Sequence, residues 1–301
     1  MLKNIARITL FPLTFASALY AAAWGSATGM SVDILLAFIT VATVLIVFLC
    51  ERLLPAHPEW NVPRGDVQTD LIHAVVSMLF LPQLLEIGLK AGILSLAVHL
   101  SGSAFDIWPH QWPVILQIAL AMLVSQFFEY WAHRLMHTQP LLWRLHATHH
   151  SPGRLYWLNA ARFHPIDTAT SFSLSLGSLL LLGANETVLL VLTVWTAVHG
   201  LFQHANIDVR LGPLNWIFSM AELHRWHHSK TLEEANNNYG NNILFWDIVF
   251  GTVYWPKERR ADSDIGLSNM PWFPTGYIGQ VLSPILWQES TPEIQEPSTT
   301  G

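Results

Sequence analysis

Long apolar stretches broken by short polar turns occupy the first two thirds of the chain. Runs of about 20 mostly apolar residues, the length of a bilayer-spanning helix, occur at about Ile8–Trp24, Asp33–Cys50, Leu71–Leu100 and Pro113–Tyr130. A fifth region, Ala169–His204, holds two apolar runs separated by Gly183-Ala184-Asn185-Glu186. Each half is short for a full span, so a tight hairpin that enters and leaves on one side is expected. Leu71–Leu100 is long and contains Pro82, Glu86 and Lys90, which leaves open one kinked helix or a re-entrant pair. Glu86 and Lys90 stand at i,i+4 and can neutralise each other on one helix face. The first run follows Lys3 and Arg7 and ends near Ala21-Ala22-Ala23, a pattern shared with cleaved signal peptides. Its length and the second span close behind it favour a retained anchor.

The pattern predicts an all-α integral membrane protein with about four transmembrane helices plus a short same-side hairpin, capped by a helical His-rich domain. Residues 1–130 form the membrane helices and 131–260 the His-rich domain, including the hairpin at about 169–204. Residues 261–288 form a C-terminal extension, and the polar stretch 289–301 is expected to be disordered.

Composition agrees. Hydrophobic residues make up 51% of the 301 and charged residues 12%, about half the charged share of a soluble domain, and the mean hydropathy is +0.34. With 15 Lys+Arg and a net charge of −6, there is no basic patch for nucleic acid. The single cysteine, Cys50, excludes a disulfide scaffold and Cys-based metal motifs. Basic residues sort by side. Gly25–Val32 and Ser101–Trp112 contain no Lys or Arg, whereas Lys3, Arg7, Arg52, Arg64, Arg134, Arg144, Arg154 and Arg162 flank the opposite ends of the spans. The positive-inside rule makes that side the cytoplasm, and a bacterial inner membrane is the expected location. Arg154, Arg162, Arg225 and Lys230 are candidates to hold an anionic head group or to serve as such anchors. Trp143, Trp157, Trp226 and Trp246 suit an interfacial belt.

Histidine placement carries the chemistry. Of 15 histidines, 11 lie between positions 133 and 228. His133 and His137 form H-x3-H; His146, His149 and His150 form H-x2-H-H; His224, His227 and His228 repeat it. Helical residues at i,i+3 and i,i+4 share a face, so each motif is expected to aim its imidazoles at one point. Eight imidazoles exceed what one ion takes, since zinc binds about four ligands, and the count favours a dinuclear site. His204, and less firmly His164 and His199, are further candidates. Glu129, one turn before His133, and Asp167 and Asp247 near the motifs are candidates to hold imidazole N–H groups. The isolated His57, His73, His99 and His110 fit packing or interface roles, although His73, inside an apolar run, merits a functional reading.

The ordered set H133-R-L-M-H137, H146-A-T-H-H150 and L223-H-R-W-H-H228 resembles the fatty acid hydroxylase/sterol desaturase superfamily of membrane non-haem di-iron enzymes. Arg162-Phe163-His164-Pro165, Phe202-Gln203-His204-Ala205-Asn206, Asn238-Tyr239-Gly240-Asn241-Asn242 and Phe245-Trp246-Asp247 through Phe250-Gly251-Thr252 strengthen the likeness to its bacterial and alkylglycerol-monooxygenase-like members. It covers about Pro113–Trp255. The resemblance implies two Fe ions held by His133, His137, His146, His149, His150, His224, His227 and His228, with His204 at a further metal position, O2 as co-substrate and a lipid substrate entering from the bilayer. His199 precedes His204 by five residues rather than four, which leaves its role open.

Breaking an unactivated C–H bond of a lipid needs a strong metal-centred oxidant, and two irons can deliver electrons to O2 jointly. The chain has no G-x-G-x-x-G after a strand and no C-x-x-C-H, so electrons are expected from a separate reductase, ferredoxin or cytochrome. Hydroxylation and desaturation remain open. A bis-His haem electron-transfer protein or a metal-binding protein without oxygenase activity is the alternative; haem would require His pairs facing one another across the bilayer. A zinc peptidase is disfavoured by the absence of H-E-x-x-H.

Overall fold

The computed structural model describes residues 2–99 and 107–288; the polar tail at 289–301 lies outside the described residues. It is helical, and among the described residues strand pairing is confined to isolated bridges such as Pro55–Ile207. Helices α1 (Leu2–Ala27) and α2 (Val32–Leu53) form the first pair. Helix α3 (Val67–His73) continues through a π-helical stretch, Ala74–Phe80, into α4 (Leu81–His99). Then come α5 (Val114–Thr138), α6 (Pro140–His150), α7 (Pro165–Leu182) and α8 (Glu186–His204). Short helices α9 (Ala221–His227), α10 (Leu232–Ala235), α11 (Phe245–Phe250) and α12 (Tyr277–Leu282) complete the chain.

Among the described residues six helices are long and apolar enough to cross a membrane: Lys3–Ala27, Val32–Leu53, Val67–Leu96, Val114–Thr138, Pro165–Leu182 and Glu186–His204. The expected hairpin is therefore larger than the sequence suggests. Its arms run to 18 and 19 residues, because polar but helix-compatible residues at each arm's outer end extend the apolar runs. Gly183, at φ 83°, closes α7, and Asn185 caps α8 by accepting from Val188 N at 3.0 Å. Both arms begin or end beside the histidines, so the hairpin is same-sided. The stretch around Pro82 is one helix, not a re-entrant pair. The π-helical turns lie just ahead of Pro82, where the ring removes a backbone donor and would crowd the preceding turn. Glu86 and Lys90 do pair, at 2.6 Å.

The ends of the helices sort onto two levels. Arg7 O accepts from Arg210 N at 2.8 Å, and Leu54 O from Asp208 N at 2.9 Å. These bonds tie the start of α1 and the ends of α2 and α8 to one layer. At the other end, Gln117 Oε1 accepts from Asn185 Nδ2 at 2.9 Å and from Trp108 Nε1 at 2.8 Å. The far-side connections at 28–31 and 183–185 carry no Lys or Arg.

The cap is pinned by buried ion pairs rather than by apolar mass alone. Arg154 grips Asp66 through two nitrogens at 2.7 Å, and Arg162 meets Asp70 at 2.5 Å while Tyr156 donates to the same carboxylate at 2.6 Å. Arg225 donates to Ala205 O and Ile207 O at 2.9 and 2.8 Å, and Lys230 pairs with Asp264. Arg154, Arg162 and Arg225 are therefore committed to buried acceptors of the protein itself, which leaves them no free donor face for a head group, whereas the Lys230 pair lies at the surface. Trp226 is buried beside Tyr254 rather than belted at an interface. His73 acts structurally: its ring bonds Phe163 O at 3.1 Å and Gln280 Oε1 at 2.8 Å, joining α3 to α12.

Candidate metal centre

Four chain segments converge in the layer where the bundle meets the cap. The last turn of α5 brings His133 and His137, α6 brings His146, His149 and His150, the end of α8 brings His204, and α9 with the residue after it brings His224, His227 and His228. They form two groups. His133, His137, His146, His150 and His227 make one; His149, His204, His224 and His228 make the other, and within each group one ligand atom per residue lies within 4.8 Å of all the rest. The rings gather in one layer and do not face one another across the bundle.

The division corrects the expectation that each motif aims at one point. The i,i+4 pairs stay together: 133 with 137, 146 with 150, 224 with 228. The middle member of each H-x2-H-H motif crosses to the other group, His149 to the second and His227 to the first. At 3.6 residues per turn, positions four apart differ by about 40° around the helix and adjacent positions by about 100°. His149 and His150 therefore cannot share a target, and each short helix serves both groups.

Most rings are oriented through Nδ1. His133 donates from Nδ1 to Tyr239 O at 2.7 Å, His137 to Asn236 Oδ1 at 3.2 Å, His146 to Asp167 Oδ2 at 2.7 Å and His227 to Asn237 O at 2.8 Å. In the second group His204 donates to Asn159 Oδ1 at 3.1 Å and His149 to Arg162 O at 3.3 Å. Phe163 stacks on the His149 ring at 4.1 Å and 12°. The donor on one side leaves Nε2 as a lone-pair nitrogen on the other. Nε2 of His133, His137, His146, His150 and His227 is buried and without a protein partner. Around His224 Nε2, the Nε2 atoms of His204 and His228 each stand at 2.9 Å. Nitrogens about 2.1 Å from one ion and at right angles around it lie about 3 Å apart. Each group could hold a metal ion through its imidazoles, and the acceptors fixed behind most of the rings are what such ligands need.

Electrostatics keeps the rings neutral. Burial first, then the neighbouring imidazoles, hold His149, His150, His224 and His228 well below the usual histidine range; burial brings His227 down to about 3. A neutral ring is the form that binds metal.

Of the three carboxylates expected behind the rings, only Asp167 is there. Glu129 instead accepts from Gln126 Nε2 at 2.6 Å and Asn241 Nδ2 at 3.0 Å. Asp247 accepts from Tyr239 N, Gly240 N and Thr252 Oγ1 at 2.7 to 2.8 Å. Both hold the 239–242 loop, which in turn presents Tyr239 O to His133. Burial raises Asp247 to about 6 against those three bonds. Gly240 is required here, since a Cβ would stand 2.4 Å from Ile243 O and 2.8 Å from Asp247 Oδ2. His164 and His199 stand outside both groups. His164 caps α7, accepting from Ile166 N at 3.1 Å and donating to Val281 O at 3.0 Å. His199 is buried edge-on to Phe11. Sequence patterns do not single out Asn159, Asn236, Asn237 or Tyr239 as supports for the rings. Two of these act through main-chain carbonyls, which no side-chain pattern reveals; the N-Y-G-N-N run was the visible signal for Tyr239.

The region that holds these histidines is also the part of the chain similar to known proteins. The family model described as fatty acid hydroxylase matches residues 118–252. Ornithine lipid hydroxylase OlsE of Rhizobium tropici is 39% identical over 246 residues, covering 81% of this chain and 73% of that protein. Alkylglycerol monooxygenase of Xenopus tropicalis is 29% identical over 46% of this chain and 31% of its own length. A very-long-chain aldehyde decarbonylase of Oryza sativa, GL1-8, is 26% identical over 51% and 58%. No solved structure matches the chain significantly. The chain belongs to the fatty acid hydroxylase family.

Proposed function

We propose that the protein is an O2-dependent lipid hydroxylase whose two histidine groups hold a pair of irons. The observation that carries this reading is the double cluster of convergent imidazole nitrogens, five rings and four, at the level where a spanning bundle meets its cap. Imidazole suits iron among other metals, and a bound iron pair would supply the oxidising power for C–H cleavage. The overall reaction takes a lipid C–H, O2, two electrons and two protons to a C–OH and water.

The chain's own residues set the conditions. Asp167 fixes the His146 tautomer and the orientation of that ring. Tyr239 O, Asn237 O, Asn236 and Asn159 orient four further rings, and Phe163 holds His149 flat. Burial removes water from around the rings, which protects a reactive centre from side reactions. The cap lies in the cytoplasm and the bundle in the bacterial inner membrane, from the Lys and Arg asymmetry. A separate reductase, ferredoxin or cytochrome delivers the electrons there. The resemblance to OlsE supports a polar acyl lipid as substrate and hydroxylation over desaturation.

Lipid mass spectrometry of a host with and without the chain tests this, with His146→Ala as control. Gain of one oxygen atom, absent with the control, is expected. Loss of two hydrogens would make the enzyme a desaturase. An unchanged lipidome with two irons bound per chain would refute the proposal.

A further inference from the structure

Two segments of the cap dip into the bundle and return. The first can be followed down α5. Tyr239 O faces His133, Asn241 Nδ2 donates to Glu129 at 3.0 Å, Asn242 N donates to Gln126 Oε1 at 2.9 Å, and Trp246 Nε1 donates to Leu123 O at 3.0 Å. The chain then climbs back along α11. Phe250 stacks on Tyr130 at 5.2 Å, and Thr252 Oγ1 bonds the Tyr130 hydroxyl at 2.9 Å. The second segment starts at Arg210, whose N donates to Arg7 O. It descends to Phe218, which packs on Phe15 at 5.5 Å and on Trp195 at 5.8 Å, and returns to His224. The two tips are joined. Phe218 and Ile243 form an antiparallel bridge, flanked by Ser219 N to Asn242 O at 3.1 Å and Leu244 N to Ile217 O at 2.9 Å.

Helix geometry gives the depth of these tips. Leu123 stands nine residues from the start of α5 and 15 from its end, about 14 and 22 Å along the axis. Trp195 stands nine residues short of His204, about 14 Å away from the histidine layer. A hydrocarbon core is about 30 Å thick, so the tips fall inside it wherever α5 is centred. Irregular backbone survives there only when the protein satisfies it. Gln126, Asp247 and the paired tips do so, accepting from the N–H groups of Asn242, Tyr239, Gly240, Ser219 and Leu244. The outward side chains are apolar and open, with Ile217 52%, Ile248 47% and Val249 52% accessible. At the cap edge Trp216 and Trp255 pack at 5.8 Å, and Lys257 Nζ lies 2.6 Å over the Trp255 ring, the aromatic and basic set of a membrane interface.

We infer that residues 210–219 and 240–251 form a paired re-entrant element whose outer face is embedded among the acyl chains of the leaflet on the histidine side. Bilayer lipid is the occupant because this face continues the lipid-facing surface of α5, where Phe128 is also exposed, at a depth that water does not reach. The element enters the membrane without crossing it, in addition to the six candidate spans, and it carries Trp246 deeper than an interfacial belt. It also accounts for Gln126 and Glu129, polar residues at membrane depth in α5 that receive the descending loop. The inference goes beyond the hydroxylase reading and does not depend on it. Its arms lead to Tyr239 O behind His133 and to His224, so the lipid-held element is joined directly to both histidine groups.

The test uses the full-length protein in vesicles of phosphatidylethanolamine and phosphatidylglycerol. In a Cys50→Ser background, nitroxide labels are placed by Ile217→Cys and Ile248→Cys on the element, by Leu13→Cys on the exposed face of α1 and by Leu232→Cys on the exposed cap. Collision with O2 and with a water-soluble nickel chelate is read by electron paramagnetic resonance. The ratio of O2 to chelate access at 217 and 248 should be at least fivefold that at 232 and match that at 13. A ratio equal to that at 232 would overturn the inference. Closure of both sites to both reagents would also overturn it, since a second copy of the chain would then cover the face. A second measurement needs no substitution. With a diazirine-bearing acyl chain in the vesicles, the 243–250 segment of the unaltered protein should be photolabelled at least fivefold more than 230–237. Equal labelling of the two segments would refute the embedding.

Discussion

Asp167 and His146 face each other in a fully enclosed contact, Oδ2 to Nδ1 at 2.7 Å, with each side chain 2% accessible. The carboxylate is the first-turn acid of α7, while the imidazole lies within α6, so one bond couples the membrane hairpin to the first histidine group. Asp167→Asn keeps the shape but permits an amide to face the ring with its NH2. A fall in metal affinity of about 10- to 100-fold is expected, read as iron retained during titration with a chelator. Unchanged retention would show that His146 needs no carboxylate behind it.

The crossing of His149 and His227 predicts which ion each substitution loosens. His227→Ala leaves the 224/228 pair intact and should deplete only the five-ring group; His224→Ala should deplete only the four-ring group. Each variant is expected to retain close to one iron per chain, with different Mössbauer signatures. Identical spectra, or loss of both irons from each, would contradict the division.

Asp70 is fully buried between Arg162 and Tyr156. Removing it strands a buried guanidinium and disturbs Arg162, whose carbonyl orients His149. Breaking such a pair costs about 3–5 kcal/mol, so Asp70→Ala should lower the thermal midpoint in detergent sharply. Lys230→Met, at an exposed pair outside the spans, should shift it little, since such pairs are worth about 0–1 kcal/mol. Equal effects would contradict the burial argument.

Acidification should release metal and then destabilise the metal-free chain. His227 titrates near 3 when folded and near 6.5 otherwise, and His149, His150, His224 and His228 are depressed in the same direction. The unfolded chain therefore holds more protons below 6.5. Each such ring contributes about 1.4 kcal/mol of lost stability per pH unit between its two values. The midpoint of metal-free protein should fall steeply from pH 6.5 towards 4, and less steeply in a His227→Gln variant. A flat profile would mean that the rings are protonated in the folded state.

The spans were legible because a bilayer demands about 20 apolar residues and the chain supplies them in blocks. The nine clustered histidines were legible because packing alone does not place so many imidazoles at helical spacing within about a hundred residues. His164 was not separable by sequence from the others, since a capping histidine and a ligating one have the same side chain and the same kind of neighbours along the chain. Sequence by itself determined which histidines stand at helical spacing and that they follow the apolar spans. Only the tertiary structure decided how they divide, because the choice of partner depends on the angle at which α6 and α9 meet α5. It also decided what stands behind six of the rings, because those acceptors come from other segments of the chain, three of them as backbone carbonyls.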